Sequence, residues 1–193
     1  MITRLTPVPV PAPIASLMTN HLLLLVLLIF ALTLFFISPF FGEKASVRRH
    51  RRYRACAERV LQRLPLLDGD GQRLTYLRKI NPYVYEELLL LAFERQGMTV
   101  IRNKSYSGDG GFDGQVFINN ERWLIQAKRY SRPIVPEHIR EFAALLAQER
   151  CRGLFIHTGR TGDKSRALLR VYSDITIISG ERLLKLLAGK FRI

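Results

Sequence analysis

Residues 108–130 read GDGGFDGQVFINNERWLIQAKRY, a glycine-rich loop running into two β-rich stretches that meet at a pair of asparagines. Gln115 to Ile118 and Arg122 to Tyr130 are strand-like, and Asn119-Asn120 suits a tight hairpin. If the two asparagines are the loop of a type I′ turn, Ile118 pairs with Glu121, and counting back sets Asp113 opposite Gln126. Lys128, two residues on, points to the same face as Gln126. A carboxylate, an amide and an ammonium then converge next to a loop that leaves room for a phosphate.

The neighbouring segments complete an α/β pattern. Asn81-Pro82 supplies an N-cap and a first-turn proline, and Val84, Leu88 and Leu91 recur at helical spacing until Gly97, which predicts a helix over 82–96. Met98 to Arg102 reads as a short strand. Beyond the hairpin come a helix over 136–149, a buried strand at 153–158, a helix at about 163–171, the strand ITII and a closing helix over 180–189. The order αβββαβαβα implies an α/β fold around a mixed central sheet.

The converging groups suit metal-assisted phosphoryl chemistry. The carboxylate can hold a hard cation such as Mg²⁺, and the lysine can offset charge at the reacting phosphate or orient the attacking water. Cys56 and Cys151 lack the paired spacing of a zinc site and read as reduced, packed thiols. His138 and His157 have no partner at ligand or triad spacing, so the first reads as a surface residue and the second as packing. Asp109 reads as a turn residue of the loop. Arg129, Tyr130 and Arg132 are candidate phosphate-binding residues, more suited to touching phosphates than to cutting them.

The N-terminal part has another character. Leu22 to Phe41, LLLLVLLIFALTLFFISPFF, carries no charge over twenty residues. At roughly 1.5 Å per residue, a helix of that length covers about 30 Å, a bilayer core. A buried core helix rarely runs so far without a polar face. A cleaved signal peptide would want a richer n-region than Arg4 and a small-x-small cleavage site. The expectation is one transmembrane helix at 22–41, after a Pro-rich extracytoplasmic segment at 1–21.

Charge orients that span. The net charge of +14 divides into +1 for residues 1–41, +7 for 42–80 and +6 for 81–193. Arginines at 48, 49, 51, 52 and 54 crowd the C-terminal flank, which predicts a cytoplasmic C-terminal domain at a bacterial inner membrane. Residues 46–64 have helical spacing and read as a basic juxtamembrane helix attracted to anionic lipid. Pro65 and the turn formers Asp68 to Gly71 mark a linker. The expected layout is therefore a juxtamembrane helix and linker over 42–80 and a catalytic domain over 81–193.

Glu86 on the first domain helix, GDGGFDG at 108–114 and QAKRY at 126–130 together closely resemble the catalytic domain of Mrr-type restriction endonucleases, part of the wider PD-(D/E)xK nuclease fold. The likeness spans roughly 82–190 and includes HTGRTGDKSRAL, similar to the family's strand-turn-helix segment with its turn at Thr158 and Gly159. It implies a restriction-endonuclease-like αβββαβ core acting on DNA with Mg²⁺. By position, Asp113 corresponds to the metal-binding aspartate, Gln126 and Lys128 to the Gln-x-Lys element, and Glu86 to the acidic residue of the first helix, a second metal ligand. In the Mrr subset a glutamine stands where the wider fold has a carboxylate. Glu87 and Glu94 compete with Glu86 on the same helix. No proline precedes Asp113, and a membrane span stands where the family's separate DNA-reading domain is usual. The expected partners are DNA, the membrane and a second copy of the chain in a homodimer. The rival reading is a catalytically inactive DNA-binding or docking module of a membrane-bound transfer machine, which leaves the Asp113, Gln126 and Lys128 set without a purpose.

Overall fold

The computed structural model describes residues 24–33, 45–103 and 111–191. The chain divides into two compact units, Met1–Lys44 and Ala45–Ile193.

In the first unit residues 24–33 form a helix, α1, whose side chains are all exposed. Thr33 Oγ1 donates back to the Phe30 carbonyl at 2.7 Å, the usual way a helical threonine satisfies its hydroxyl. The remainder of the expected 22–41 span and the Pro-rich segment at 1–21 lie outside the described residues. Among the described residues, no helix is long and apolar enough to cross a membrane.

The second unit runs α2 (Ala45–Arg63), a 3-10 turn (Leu64–Leu66), α3 (Gly69–Leu77), α4 (Pro82–Glu94), β1 (Thr99–Ile101), β2 (Gly114–Ile118) and β3 (Glu121–Lys128). It continues with α5 (Pro136–Glu149), β4 (Arg152–His157), α6 (Asp163–Val171), β5 (Ile175–Ile178) and α7 (Gly180–Leu187). The five strands lie in sequence order in one sheet. β1, β2 and β3 pair antiparallel, whereas β3 with β4 and β4 with β5 are parallel. The sheet is mixed, as the element order implies.

Each sheet face has its own core. On one face Val116, Trp123, Ile125, Leu154 and Ile156 pack with α4, α7 and the inner side of α2. On the other, Leu124 and Phe155 pack with Ile139, Phe142 and Leu146 of α5. α4 starts as its sequence dictates: the Asn81 side chain accepts from Tyr83 N at 2.9 Å, with Pro82 in the first turn. Nine of its thirteen residues are buried, because α2 and α7 pack against it in addition to the sheet.

Two features differ from the expected layout. The 65–73 linker is largely helical: Gly69 takes φ +71 and α3 begins there at once, held by buried Leu77 and by Arg73 Nε donating to the Leu67 carbonyl at 3.2 Å. The 42–80 segment is also no tether beside a domain that starts at 81. Ala57, Val60, Leu61, Leu64 and Leu77 are buried in the same core as α4, so the compact unit begins at Ala45. The physical reason is the apolar stripe on α2, which has α4 to bury against.

Candidate active site

The hairpin sets the site. Asn119 (φ 51°) and Asn120 (φ 67°) both lie in the left-handed region, as a type I′ turn requires. Ile118 pairs with Glu121 and Gly114 with Ile125. Asp113 N donates to the Ile125 carbonyl at 2.8 Å, which places Asp113 at the strand edge opposite Gln126. The Asp113 carboxylate then accepts two hydrogen bonds on Oδ2, from Ala127 N at 2.6 Å and from Gln126 Nε2 at 2.9 Å. Lys128, two residues beyond Gln126 on β3, is close enough for its charge to act on both Asp113 and Glu86.

Glu86 reaches this edge because α4 lies hard against the start of β2. A Cβ at Gly114 would sit 2.7 Å from Leu90 Cδ2, so only glycine admits so close an approach. Glu86 is one turn before Leu90, on the same helix face. Burial, then the charge of Asp113, then that of Glu87 push the Glu86 carboxyl up to about 8, with Lys128 pulling the other way. Burial also raises the Asp113 carboxyl, opposed by the Ala127 amide, Lys128 and Gln126.

The two competing carboxylates of α4 are otherwise engaged. Glu87, 1 % exposed, meets Arg102 Nε at 2.8 Å and His50 Nδ1 at 3.2 Å. Glu94 pairs with Arg102 and, at 3.1 Å, with Arg54. This cluster joins α2, α4 and the end of β1. Sequence reasoning misses Arg102, because a lone arginine after a short strand gives no signal. Next to it, Asn103 Nδ2 donates to the Phe112 carbonyl at 2.6 Å, tying together the two ends of the loop one residue before Asp113. Residues 104–110, Asp109 among them, lie outside the described residues.

Asp113 and Glu86 fit a hard divalent ion: two carboxylates, half buried and mutually repelling, gain from a cation between them. A site with two protein carboxylates, completed by water and phosphate oxygens, is a usual Mg²⁺ arrangement. Among the described residues, no group of three or more His, Cys, Asp and Glu gathers as a larger ligand set. His157 is fully buried, and burial pushes its imidazole down to about 4. Its Nε2 lies 3.2 Å from Thr161 Oγ1, a packing role.

The three candidate DNA contacts occupy different environments. Arg129 turns inward and donates to the Arg78 carbonyl, while Arg78 grips the Thr158 carbonyl through Nε at 3.0 Å and Nη2 at 2.8 Å. The Tyr130 ring stacks on His138, centroids 5.7 Å apart and planes at 25°. Arg132 is exposed.

A family model for the Mrr catalytic domain, described as a restriction endonuclease, matches residues 77–187. No curated protein matches the chain. Two solved structures are similar: the MspJI restriction endonuclease in complex with a 27-mer oligonucleotide, at 20% identity with a TM-score of 0.45, and restriction endonuclease FokI, at 13% with a TM-score of 0.44. The match covers 64% of this chain and 32% of the first, 63% and 28% for the second, so the chain spans about a third of the length of the structures it matches.

Proposed function

The chain belongs to the restriction endonuclease family of the Mrr catalytic domain, and from that premise we propose that it is a membrane-anchored, Mg²⁺-dependent endodeoxyribonuclease. The observation that carries the reading is the meeting of Asp113, Gln126, Lys128 and Glu86 at one edge of the sheet. Asp113 and Glu86 hold the metal. Bound there, a divalent ion such as Mg²⁺ would supply Lewis-acid chemistry to the phosphate and to water. Gln126 and the Ala127 amide fix the Asp113 carboxylate in orientation by taking Oδ2. Lys128 sets a positive charge where negative charge grows on the reacting phosphate.

Residues 22–41 anchor the protein as a single-pass helix in a bacterial inner membrane, with the catalytic domain in the cytoplasm. Two sequence features support this: the uncharged run itself and the arginines that come after it. The placement suits restriction of foreign DNA or DNA processing during conjugative transfer. A homodimer would offer one centre to each strand of a duplex.

The test is the full chain in detergent micelles, mixed with closed-circular plasmid, methylated and unmethylated, with Mg²⁺ or with chelator. Nicked or linear product with Mg²⁺ alone is the expected outcome. Intact plasmid with Mg²⁺ on both substrates, or equal cutting in chelator, rejects the proposal.

A further inference from the structure

Basic side chains crowd the edge where β3 and β4 end, and their surroundings divide them into two sets. Arg78 and Arg129 are turned onto backbone carbonyls, and Arg166 donates to the Thr161 carbonyl at 3.0 Å while lying 3.7 Å from Asp163. These three hold the scaffold. Arg132, Arg160 and Lys164 are exposed and, among the described residues, make no side-chain hydrogen bond or ion pair.

The backbone beneath the second set is tightly built. The loops leaving β3 and β4 run side by side, with a parallel bridge between Pro133 and Arg160 and a hydrogen bond from Ile134 N to the Arg160 carbonyl at 3.0 Å. Thr158 fastens them further, its N donating to the Lys128 carbonyl at 3.2 Å and its Oγ1 to the Tyr130 carbonyl at 2.9 Å. At Gly159 the contact is so close that a Cβ would lie 2.4 Å from the Arg132 carbonyl oxygen. Buried Ser165 Oγ donates to the Ile134 carbonyl at 3.1 Å and so fixes the first turn of α6 to the same loop. Arg132 and Arg160 therefore rise from adjoining backbone, with Lys164 in the first turn of α6, four residues beyond Arg160. All three stand at the edge that carries Lys128.

We propose that Arg132, Arg160 and Lys164 form a preorganised rim that grips the backbone phosphates of duplex DNA beside the scissile bond. The proposal rests on the nuclease reading and deepens it by adding Arg160 and Lys164 to the substrate interface. Because the backbone beneath them is already fixed, only the side chains themselves are ordered on binding, which limits the cost set against their attraction to phosphate. Contacts of this kind set register and orientation and carry no sequence preference.

The test reads the salt dependence of binding, separate from cleavage. The full chain in detergent, with chelator present, is titrated onto a short fluorescent duplex between about 50 and 200 mM salt. Each phosphate contact contributes a slope of about 0.9 in log K against log salt. Arg160→Ala and Lys164→Ala should each lower the slope by about that amount, and the pair by about twice as much. Arg152→Gln, at the opposite end of β4 and stacked over Trp123 at 4.2 Å, should keep the parent slope. Unchanged melting temperatures show that the rim variants fold, and Arg160→Gln repeats the loss with a side chain of similar reach. Parent slopes in both alanine variants overturn the rim, as does a loss of binding to phosphatidylglycerol vesicles with DNA binding intact. If the parent cuts plasmid while these slopes do not move, the rim fails and the nuclease reading stands. If the slopes fall but no plasmid is cut, the rim stands and the nuclease reading fails.

Discussion

Asp113 and Lys128 sit at one edge but act on different parts of the reaction, so their substitutions should leave different signatures. Asp113→Ala removes a metal ligand and the acceptor of two hydrogen bonds, from Gln126 and the Ala127 amide. Mg²⁺ binding by calorimetry and single-turnover cleavage should fail together, while DNA binds as well or better once a negative charge is gone. Lys128→Ala should keep metal binding and most of the DNA affinity, because one phosphate contact among several is a modest loss. Cleavage should still fall by on the order of a hundredfold or more, the scale of losing a contact to developing charge. Parent-like cutting by both variants would remove these residues from the site.

The elements show how tightly the sheet is covered. At Gly153 in β4 a Cβ would lie 2.6 Å from Phe142 Cζ and 2.7 Å from Leu146 Cδ2, side chains of α5 that are themselves 2 % exposed and cannot swing away. Gly153→Ala should therefore cost about 1–3 kcal/mol by overpacking, read as a lower denaturant midpoint with unchanged m. An unshifted midpoint would mean that α5 stands off the sheet. The hairpin is legible in the sequence because a two-residue loop and a period of two leave one register, and that register brings Asp113 to Gln126. α3 is hidden there because GDGQR opens with turn residues. Tertiary contacts, among them the packing of Leu77 and the Arg73 bond to the Leu67 carbonyl, make a helix of Gly69–Leu77. Arg129 illustrates a different limit. Sequence shows its charge, but not that the guanidinium turns onto the Arg78 carbonyl.

At the scale of the molecule, the question is where the catalytic unit begins. Seven arginines on α2 suggest a solvated helix beside the membrane, yet LLLLAF in α4 is apolar on every side, and such a helix needs cover on both. α2 supplies that cover. Val60 and Leu61 of α2, with Leu64 of the 3-10 turn and Leu77 of α3, are each no more than 7 % exposed, and His50 meets Glu87 beneath α2. Deleting residues 1–44 should leave a chain, 45–193, that unfolds in one cooperative transition, since it spans a whole compact unit. Deleting 1–80 should not. It strips those four side chains, each worth about 1.5–3 kcal/mol on burial, or roughly 6–12 in all. That is as large as the about 5–15 kcal/mol that holds an ordinary domain together. It also leaves the buried side chain of Glu87 without its His50 contact, next to Glu86. Thermal melts and plasmid cleavage on the two truncations decide the matter. If 81–193 melts as sharply as 45–193 and cuts as well, α2 is only a tether. If it melts without a cooperative transition and loses cleavage, the helix nearest the apolar segment is part of the catalytic fold.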